Sequence, residues 1–286
     1  MPDSTRDYLS LLLSQYWFAP PVALWRAIEL RTLSKESFLR PILDLGCGDG
    51  LIAQILFESE PPIEVGFDPW LEQVRKAPAT GVYDAVQQAQ GAAMPYASNT
   101  FGTVFSNSVV EHIPDLAPVL TEASRVLRPG GRLILTVPSD AFRSLLAGYR
   151  DRVAVADFAG AEAYARDVDS WLEHHRYPSP DDWAAMLQGV GLTLARAVYY
   201  VTPQAMTLWD RGNTTYGVRE TGSPSLFRWL ASPRLRRLGY QPLVRRWVVR
   251  TLSRKWQPAY EADVPTDGVG GGLLIVGEKA GRDGFE

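Results

Sequence analysis

The chain has 286 residues, of which 46% are hydrophobic and 21% charged, with a formal net charge of -3 at pH 7. This length fits one large domain, or one domain with additions, and neither composition nor net charge singles out nucleic acid as a partner. The single cysteine, Cys47, excludes an internal disulfide framework and a multi-cysteine zinc site, and no stretch approaches the roughly twenty apolar residues that span a bilayer. We therefore predict a cytoplasmic protein, with peripheral contact to a membrane as an additional option.

Residues 1–40 are predicted to form a helical arm. Leu9, Leu12, Leu13 and Tyr16 follow helical spacing, and the segment "APP" at 19–21 separates them from a second predicted helix that extends to about Leu33. The first residues differ from a secretory signal, which has a basic start and a longer apolar region. The arm is therefore expected to pack against the domain that follows.

From Pro41 onward, short apolar runs alternate with amphipathic segments, and this alternation predicts a parallel sheet covered by helices. "RPGG" at 128–131 predicts a helix stop and a turn, and Ser179 with Pro180 predicts the start of a later helix. Helical insertions are expected at about 140–180 and 203–269. The predicted strands are 41–45, 63–68, 101–109, 131–139, 192–201 and 271–280.

The segment "PILDLGCGDG" at 41–50 is the strongest chemical signal in the chain. An apolar strand ending in a glycine turn frees backbone N–H groups for a ligand, and glycine keeps side chains out of its way. An NAD fingerprint would place its third glycine at 51, where this chain has Leu51, so the spacing counts against an NAD-dependent oxidoreductase. Asp68, about twenty residues further on, has the position of an acid that binds ribose hydroxyls. These features predict a nucleoside-containing ligand without a pyrophosphate.

Four segments in this order resemble the class I S-adenosylmethionine-dependent methyltransferases, in particular the methyltransferase type 11 branch. They are "ILDLGCGDG", "VGFDPW", "AAMPYASNTFGTVFSNSVVEHIPD" and "LTEASRVLRPGGRLILTVPS". The resemblance covers 41–139 closely and 179–201 more loosely. It implies a Rossmann-like, doubly wound α/β fold with a mainly parallel seven-stranded sheet, formed by a methyltransferase domain at 41–286 behind the arm. It also implies S-adenosylmethionine as the cofactor.

The resemblance implies where the cofactor binds. Asp44 would lie near the ammonium group of the methionine moiety, Asp68 would accept hydrogen bonds from the ribose hydroxyls, and Asn107 with Ser108 would lie near the sulfonium. Pro69 and Trp70 would flank the adenine, with residues 91–94 on its other face. The full implied set is Asp44, Gly46, Cys47, Gly48, Asp68, Pro69, Trp70, Gly91, Ala92, Met94, Asn107 and Ser108.

One departure from the family concerns the adenine amino group. Many relatives have an acid before the Met-Pro segment, whereas this chain has "QAQGAAMPY" there. Gln90 or backbone groups would have to provide that contact.

Candidate acceptor-side residues are His112, His174, His175, Tyr16 and Trp17. His112 follows the fourth predicted strand and is predicted as a catalytic base, with lining of the pocket as an equal alternative. His174 and His175 would either reach over the pocket or lie exposed. Tyr16 and Trp17, beside Phe18, would either form pocket walls or pack in the core. No metal site is predicted, because the sequence has no recognisable ligand spacing beyond the histidine pair.

Residues 221–260 contain nine basic residues and no acid, so charge is strongly segregated along the chain. Three interpretations stay open, in this order: an aromatic helix face packed on the core, an anionic membrane surface or amphiphilic substrate bound through 228–255, and nucleic acid, which the acidity elsewhere makes unlikely. The bases are Arg228, Arg234, Arg236, Arg237, Arg245, Arg246, Arg250, Arg254 and Lys255.

The function predicted from the sequence is methyl transfer from S-adenosylmethionine to a small or amphiphilic metabolite, most readily at oxygen. Transfer to nitrogen or carbon stays open. The alternative from another class is a noncatalytic scaffold of the same fold that docks to a membrane or a partner. The sequence gives no indication of oligomeric state.

Overall fold

The computed structural model describes residues 2, 5–219, 230 and 239–281, and within them seven strands form one sheet. The spatial order is β3-β2-β1-β4-β5-β7-β6, with neighbours parallel from β3 to β5 and β7 antiparallel to both of its neighbours. The predicted doubly wound, mainly parallel seven-stranded sheet is thus confirmed. The strands are β1 (Ile42–Leu45), β2 (Ile63–Asp68), β3 (Tyr83–Gln88), β4 (Phe101–Asn107), β5 (Leu127–Pro138), β6 (Leu192–Tyr200) and β7 (Gly272–Lys279).

Helices cover both faces of this sheet, and their ends follow local sequence signals. Before the helix that starts at Pro180, for example, Ser179 and Asp182 form a capping box. Short 3₁₀ turns occupy Ala77–Thr80 and Val110–His112. The helices are α1 (Tyr8–Gln15), α2 (Pro20–Leu33), α3 (Leu51–Leu56), α4 (Leu71–Lys76), α5 (Ala117–Val126), α6 (Phe142–Leu145), α7 (Ala147–Val153), α8 (Phe158–Leu172), α9 (Pro180–Gly189), α10 (Pro203–Thr215) and α11 (Gln241–Glu261).

Alternating side chains of the central strands supply two separate hydrophobic clusters. Phe105 of β4 and Ile134 of β5 belong to the cluster that includes α1, α2 and α11, whereas Val104 and Leu133 belong to the cluster that includes α5 and α9. Both faces of the sheet are therefore buried, as expected for parallel strands covered by helices.

The segment "RPGG" differs from the prediction. α5 does stop before it, at Val126, but β5 already begins at Leu127 and includes these four residues. Phe101 pairs with Leu127 and Thr103 pairs with Arg132, so the segment bulges within the β4–β5 ladder. The predicted turn is thus an irregularity inside a longer strand.

Most of the described part of the basic stretch belongs to α11. It buries Val248, Leu252 and Trp256 against the core and leaves Leu243 and Trp247 exposed, at 71% and 59%. The packing interpretation therefore applies to one face, and binding of an anionic membrane by the other face stays a prediction. Four of the basic residues predicted to contribute to this surface lie outside the described residues, namely Arg228, Arg234, Arg236 and Arg237.

Among the described residues, no helix combines the length and the apolarity required to cross a bilayer.

Candidate active site

The candidate site lies at the carboxyl ends of β1, β2 and β4. The chain runs from β1 outward to β2 and β3 on one side, and β4 continues the sheet on the other side of β1. Such a reversal of strand order opens a crevice beyond the strand ends, where ligands of α/β sheets bind. The glycine loop that follows β1 enters this crevice.

Two glycines of this loop have a left-handed backbone conformation, and Gly46 is also required by its surroundings. Gly46 has φ of +77°, and a Cβ there would come within 2.6 Å of the Val109 side chain. Gly48 has φ of +54°, and a Cβ there would meet no other atom within 4 Å. The loop is anchored beside β2, because the backbone N–H groups of Gly46 and Cys47 donate to the carbonyl oxygen of Phe67. Gly48 therefore borders open space in which a ligand can approach the backbone.

Asp44 and Asp68 place two carboxylates beside the loop, in different electrostatic environments. Asp44 is buried and accepts a hydrogen bond of 2.6 Å from the hydroxyl of Tyr83. Burial raises the pKa of Asp44 to about 7, with the Tyr83 hydrogen bond opposing the rise and the charge of Asp68 adding to it. Asp68 accepts from the backbone N–H groups of Gly48 at 3.1 Å and of Trp70 at 2.8 Å. Both carboxylates are therefore held in place by other groups of the chain.

Cys47 lies in the glycine loop, and the reactivity of its thiol is low. Burial, with the nearby charges of Asp44 and Asp68, raises the pKa of the Cys47 thiol. A thiol in that state is a poor nucleophile, which agrees with a structural role in the turn.

Three adjoining cavities surround these groups. Cavity A, about 350 Å³, contains the glycine loop and Asp44; cavity B, about 700 Å³, extends from Asp68 past Trp70 to residues 90–92; cavity C, about 230 Å³, lies between α2, α8 and α10. Ser108 lines all three and has φ of +50°, an uncommon conformation for a residue other than glycine. The three spaces therefore meet at the end of β4.

Most of the residues singled out in the sequence line these cavities. Tyr16, Asp44, Gly46, Cys47, Gly48, Asp68, Trp70, Asn107 and Ser108 line cavity A. Pro69, Gly91 and Ala92 line cavity B together with Gln90, and His112 lines both B and C. His174 lines cavity C.

Three of the predicted residues lie elsewhere. Met94 is buried in the hydrophobic cluster with Phe67 and Val119, and Trp17 is buried with its ring edge-to-face to Phe18. His175 is exposed, although its backbone N–H donates to the carbonyl oxygen of Glu111. None of the three is among the residues that line cavities A, B and C.

A buried ion pair supports the point where the cavities meet. Arg26 and Glu29 of α2 are joined at 2.7 Å, and Arg26 also donates to Asn107 Oδ1 at 3.1 Å. Glu29 accepts from the hydroxyls of Ser108, at 2.7 Å, and Tyr200, at 3.0 Å. Burial alone would raise the pKa of Glu29, but the charge and hydrogen bonds of Arg26, with Ser108 and Asn107, bring it below its ordinary value. This pair was not predicted from the sequence, although two charges in the apolar stretch "VALWRAIEL" were a signal for it.

The wall of cavity C combines aromatic rings with polar groups. Trp25, Phe142 and Trp209 contact one another with ring centroids 5.4 to 5.9 Å apart. Asn213 is buried, and neither polar atom of its amide has a hydrogen-bond partner among the described residues. Glu111, which the sequence analysis also missed, lies beside His112 and His174. Cavity C is therefore shaped for an apolar ligand that carries a few polar groups.

Burial shifts three titrating groups of cavity C toward their neutral forms, namely Glu111, His112 and His174. It raises the pKa of Glu111 to about 8, against the opposing effects of a backbone hydrogen bond and of Arg26. It lowers the pKa of His174 to about 3, and the neighbouring His112 adds to this effect.

Known proteins resemble this chain in sequence and in fold. Malonyl-acyl-carrier-protein O-methyltransferase of Hahella chejuensis is 34% identical over 109 residues, which are 37% of this chain and 39% of that protein. Trans-aconitate 2-methyltransferase of Azoarcus sp. is 28% identical over 207 residues, 68% of each. A solved S-adenosylmethionine-dependent methyltransferase of Thermotoga maritima, described as a possible histamine N-methyltransferase, has a TM-score of 0.56 at 15% identity and covers 94% of this chain and 99% of its own.

The matched length limits what these similarities establish about the whole protein. The chain spans about half the length of several curated relatives that it matches, between 39% and 57% of each. The family model of a methyltransferase domain matches residues 43–135, the segment that contains the glycine loop, Asp68 and the end of β4. Residues 43–135 of the chain therefore carry the sequence features of a methyltransferase domain.

Proposed function

We propose that this protein transfers a methyl group from S-adenosylmethionine to an oxygen atom of a small or amphiphilic acceptor. The observation that carries the proposal is the junction of three cavities at Ser108. Cavities A and B contain the strand-end carboxylates and the glycine loop, and cavity C has the aromatic and polar wall. A donor held in A and B and an acceptor held in C would meet at that junction.

The residues of cavities A and B fit the cofactor chemically. Asp44 offers a carboxylate for an ammonium group, and each Asp68 oxygen keeps a lone pair for a ribose hydroxyl after accepting one backbone N–H. The indole of Trp70 is 72% exposed and offers an apolar surface to a purine. The cofactor supplies a methyl group activated by its positive sulfur. The work of the chain is to hold donor and acceptor in line and to exclude water.

The acceptor side favours a molecule with an apolar body and polar substituents. Buried polar atoms without partners destabilise a protein, and Asn213 and Glu111 both present such atoms to cavity C. A ligand with a hydroxyl or carboxyl group would satisfy them, while its apolar part would contact Trp25 and Trp209. The convergence of Glu111, His112 and His174 supports oxygen as the reacting atom, because a hydroxyl acceptor must be oriented and lose a proton. Transfer to nitrogen or carbon is the alternative.

The names of two relatives refer to small acidic or carrier-bound acceptors. The Hahella chejuensis protein is named for O-methylation of malonyl-acyl-carrier protein, and the Azoarcus protein for methylation of trans-aconitate. Both names support a search among carboxylate-bearing acceptors first.

Replacing His112 tests the acceptor side of the proposal. His112→Ala is expected to lower the maximal rate by about 10²-fold or more, because a group that positions or deprotonates the acceptor is lost. Affinity for S-adenosylhomocysteine should change far less than the rate, because His112 lies where cavity B meets cavity C. The exposed neighbour His175 provides the matched control, His175→Ala, with the rate of the parent protein. An unchanged rate in His112→Ala would leave His112 with a lining role only.

The pKa of Asp44 makes cofactor binding depend on pH. An ammonium group prefers the charged carboxylate, and the pKa of Asp44 is about 7, so binding below that pH must displace a proton. We expect affinity for S-adenosylhomocysteine to rise as pH approaches about 7 and to level off above it. Calorimetry in buffers of different ionisation enthalpy should detect the released proton.

Two variants test whether Asp44 causes this pH dependence of cofactor binding. Asp44→Asn should remove the pH dependence, and Tyr83→Phe should move it to higher pH, because the lost hydrogen bond favoured the charged carboxylate. A pH-independent affinity in the parent protein would contradict the assignment of the ammonium to Asp44.

The first test of the whole proposal is calorimetric titration with S-adenosylmethionine, S-adenosylhomocysteine and, as control, NADH. Binding of the two sulfur compounds without binding of NADH is expected, and a screen of acceptors with a radiolabelled methyl donor would follow. If neither sulfur compound binds, the noncatalytic scaffold becomes the better interpretation.

A further inference from the structure

We propose that Glu111, His112 and His174 form a binding site for a divalent transition-metal ion in the wall of cavity C. One carboxylate oxygen and one ring nitrogen from each histidine lie within 4.8 Å of one another. Glu111 and His112 belong to the 3₁₀ turn after β4, and His174 follows the end of α8. Two distant segments thus bring the three groups together.

Both imidazoles have a hydrogen-bond partner at Nδ1, as metal-ligating histidines do. His112 Nδ1 lies 3.3 Å from the carbonyl oxygen of Glu173, which only accepts, so Nδ1 carries the proton. His174 Nδ1 lies 3.1 Å from the hydroxyl oxygen of Tyr177, whose own hydrogen is donated to Asp169 at 2.6 Å. His174 Nδ1 is therefore also the donor. Each ring is left with a free Nε2 lone pair, the arrangement that fixes histidine in metal sites.

The carboxylate of Glu111 lacks a partner that a cation would provide. Glu111 is only 3% exposed, and its Oε2 has no hydrogen-bond partner among the described residues. Its Oε1 lies 4.0 Å from His112 Nε2. Buried carboxylate oxygens are rarely left unpaired, and coordination to an ion is one of the ways in which they are satisfied.

The spacing of the three groups suits one ion. Ligand atoms at about 2.1 Å from a common ion are separated by about 3.4 Å in tetrahedral coordination. The Glu111–His112 separation of 4.0 Å exceeds this distance by about 0.6 Å, and separations of up to 4.8 Å within the cluster would have to shorten by at most about 1.4 Å. Side-chain rotation alone provides a change of that size.

The chemistry of the donors selects the kind of ion. Two imidazoles and one carboxylate suit Zn²⁺, Fe²⁺, Co²⁺ or Mn²⁺, whereas Mg²⁺ and Ca²⁺ prefer oxygen ligands. The nearby positive charge of Arg26 is paired with Glu29 at 2.7 Å. The site is therefore assigned to a divalent transition metal.

Three protein ligands leave coordination positions open toward cavity C. An acceptor oxygen bound there would be held beside Ser108, and its pKa would fall through contact with the ion. In this arrangement His112 acts as a ligand and not as a base. This role in catalysis rests on the proposed function, whereas metal binding itself does not.

Co²⁺ binding to the full chain tests the site, because four- or five-coordinate Co²⁺ absorbs visible light. The protein, with any purification tag removed, is dialysed against a chelator and titrated with Co²⁺ by absorption and calorimetry. We expect one bound ion per chain. Glu111→Gln and His174→Asn should each weaken binding by at least about tenfold, and the control His175→Ala should bind like the parent.

S-adenosylhomocysteine binding, measured on the same samples, separates this inference from the proposed function and confirms that each variant is folded. Absence of an absorbing Co²⁺ complex in a parent protein that binds S-adenosylhomocysteine would overturn the metal site and leave the proposed function standing. A complex that survives in both Glu111→Gln and His174→Asn would also overturn it, because the ion would then lie elsewhere. Co²⁺ binding without S-adenosylhomocysteine binding would support the metal site and count against the proposed function.

Discussion

Asp68→Asn is expected to weaken binding of S-adenosylmethionine and S-adenosylhomocysteine by about 100-fold or more. Hydrogen bonds to a charged group contribute about 1.5 to 3 kcal/mol each, and Asp68 has a lone pair available on each oxygen for a ribose hydroxyl. Loss of the charge from two such bonds amounts to about 3 kcal/mol, which corresponds to the stated change in affinity. Isothermal calorimetry measures it directly.

The control for this variant must separate ligand contacts from support of the loop. Asp68 also accepts from the backbone of Gly48 and Trp70, so circular dichroism and thermal unfolding must accompany the binding measurement. Asp84→Asn removes a carboxylate from the exposed strand β3 and should bind like the parent. Parental affinity in a folded Asp68→Asn protein would refute the ribose assignment.

Arg26→Ala is expected to lower the free energy of unfolding by about 3 to 5 kcal/mol, because it leaves the Glu29 carboxylate buried without its cation. Urea unfolding followed by circular dichroism provides the measurement. The pH dependence has a definite sign. Glu29 has a pKa below its ordinary value of 4.5 in the folded protein, so its contribution to stability is present above that value and is lost as pH falls through the folded pKa. In Arg26→Ala this loss of stability with acid should be much smaller.

A double variant shows whether the charge or the packing matters. Arg26→Met combined with Glu29→Leu replaces the pair with apolar groups of similar size, and much of the lost stability should return. Cofactor binding should still suffer, because Ser108 and Asn107 lose their hydrogen-bond partners on α2. A double variant no more stable than Arg26→Ala would contradict this account.

The sequence allowed most of the sheet to be predicted, because buried parallel strands leave continuous apolar runs. β1, with all four residues buried, is the clearest case. β3 was not predicted, because none of the six strands expected from the sequence corresponds to it. Only Tyr83 of its six residues is buried, since β3 lies at the edge of the sheet and, among the described residues, pairs with β2 alone. The pairing with β2 stabilises β3. A pairing between separate segments produces no hydrophobic periodicity within β3, so the local sequence does not predict this strand.

The residues of the candidate site also fall into two groups, those that local sequence motifs identify and those that are brought together only by the fold. The glycine loop, Asp44 and Asp68 belong to local motifs, whose spacing along the chain is enough to identify them. The Arg26–Glu29 pair acts through residues far away in sequence, such as Ser108 and Tyr200. No spacing rule predicts such contacts. His175 was proposed together with His174, yet a turn after α8 directs the two neighbours into different surroundings.

The place of β7 in the sheet sets the order in which the two halves of the site can be assembled. β7 lies between β5 and β6, although residues 201–271 separate it from β6, so β6 joins the sheet only through a strand synthesised much later. Contacts this distant in sequence form slowly, because a long loop must first close. α10, which brings Trp209 and Asn213 to cavity C, lies inside that loop, whereas cavities A and B are built mainly from strands that follow one another closely. During refolding, the capacity to hold the cofactor should therefore return no later than the capacity to hold the acceptor.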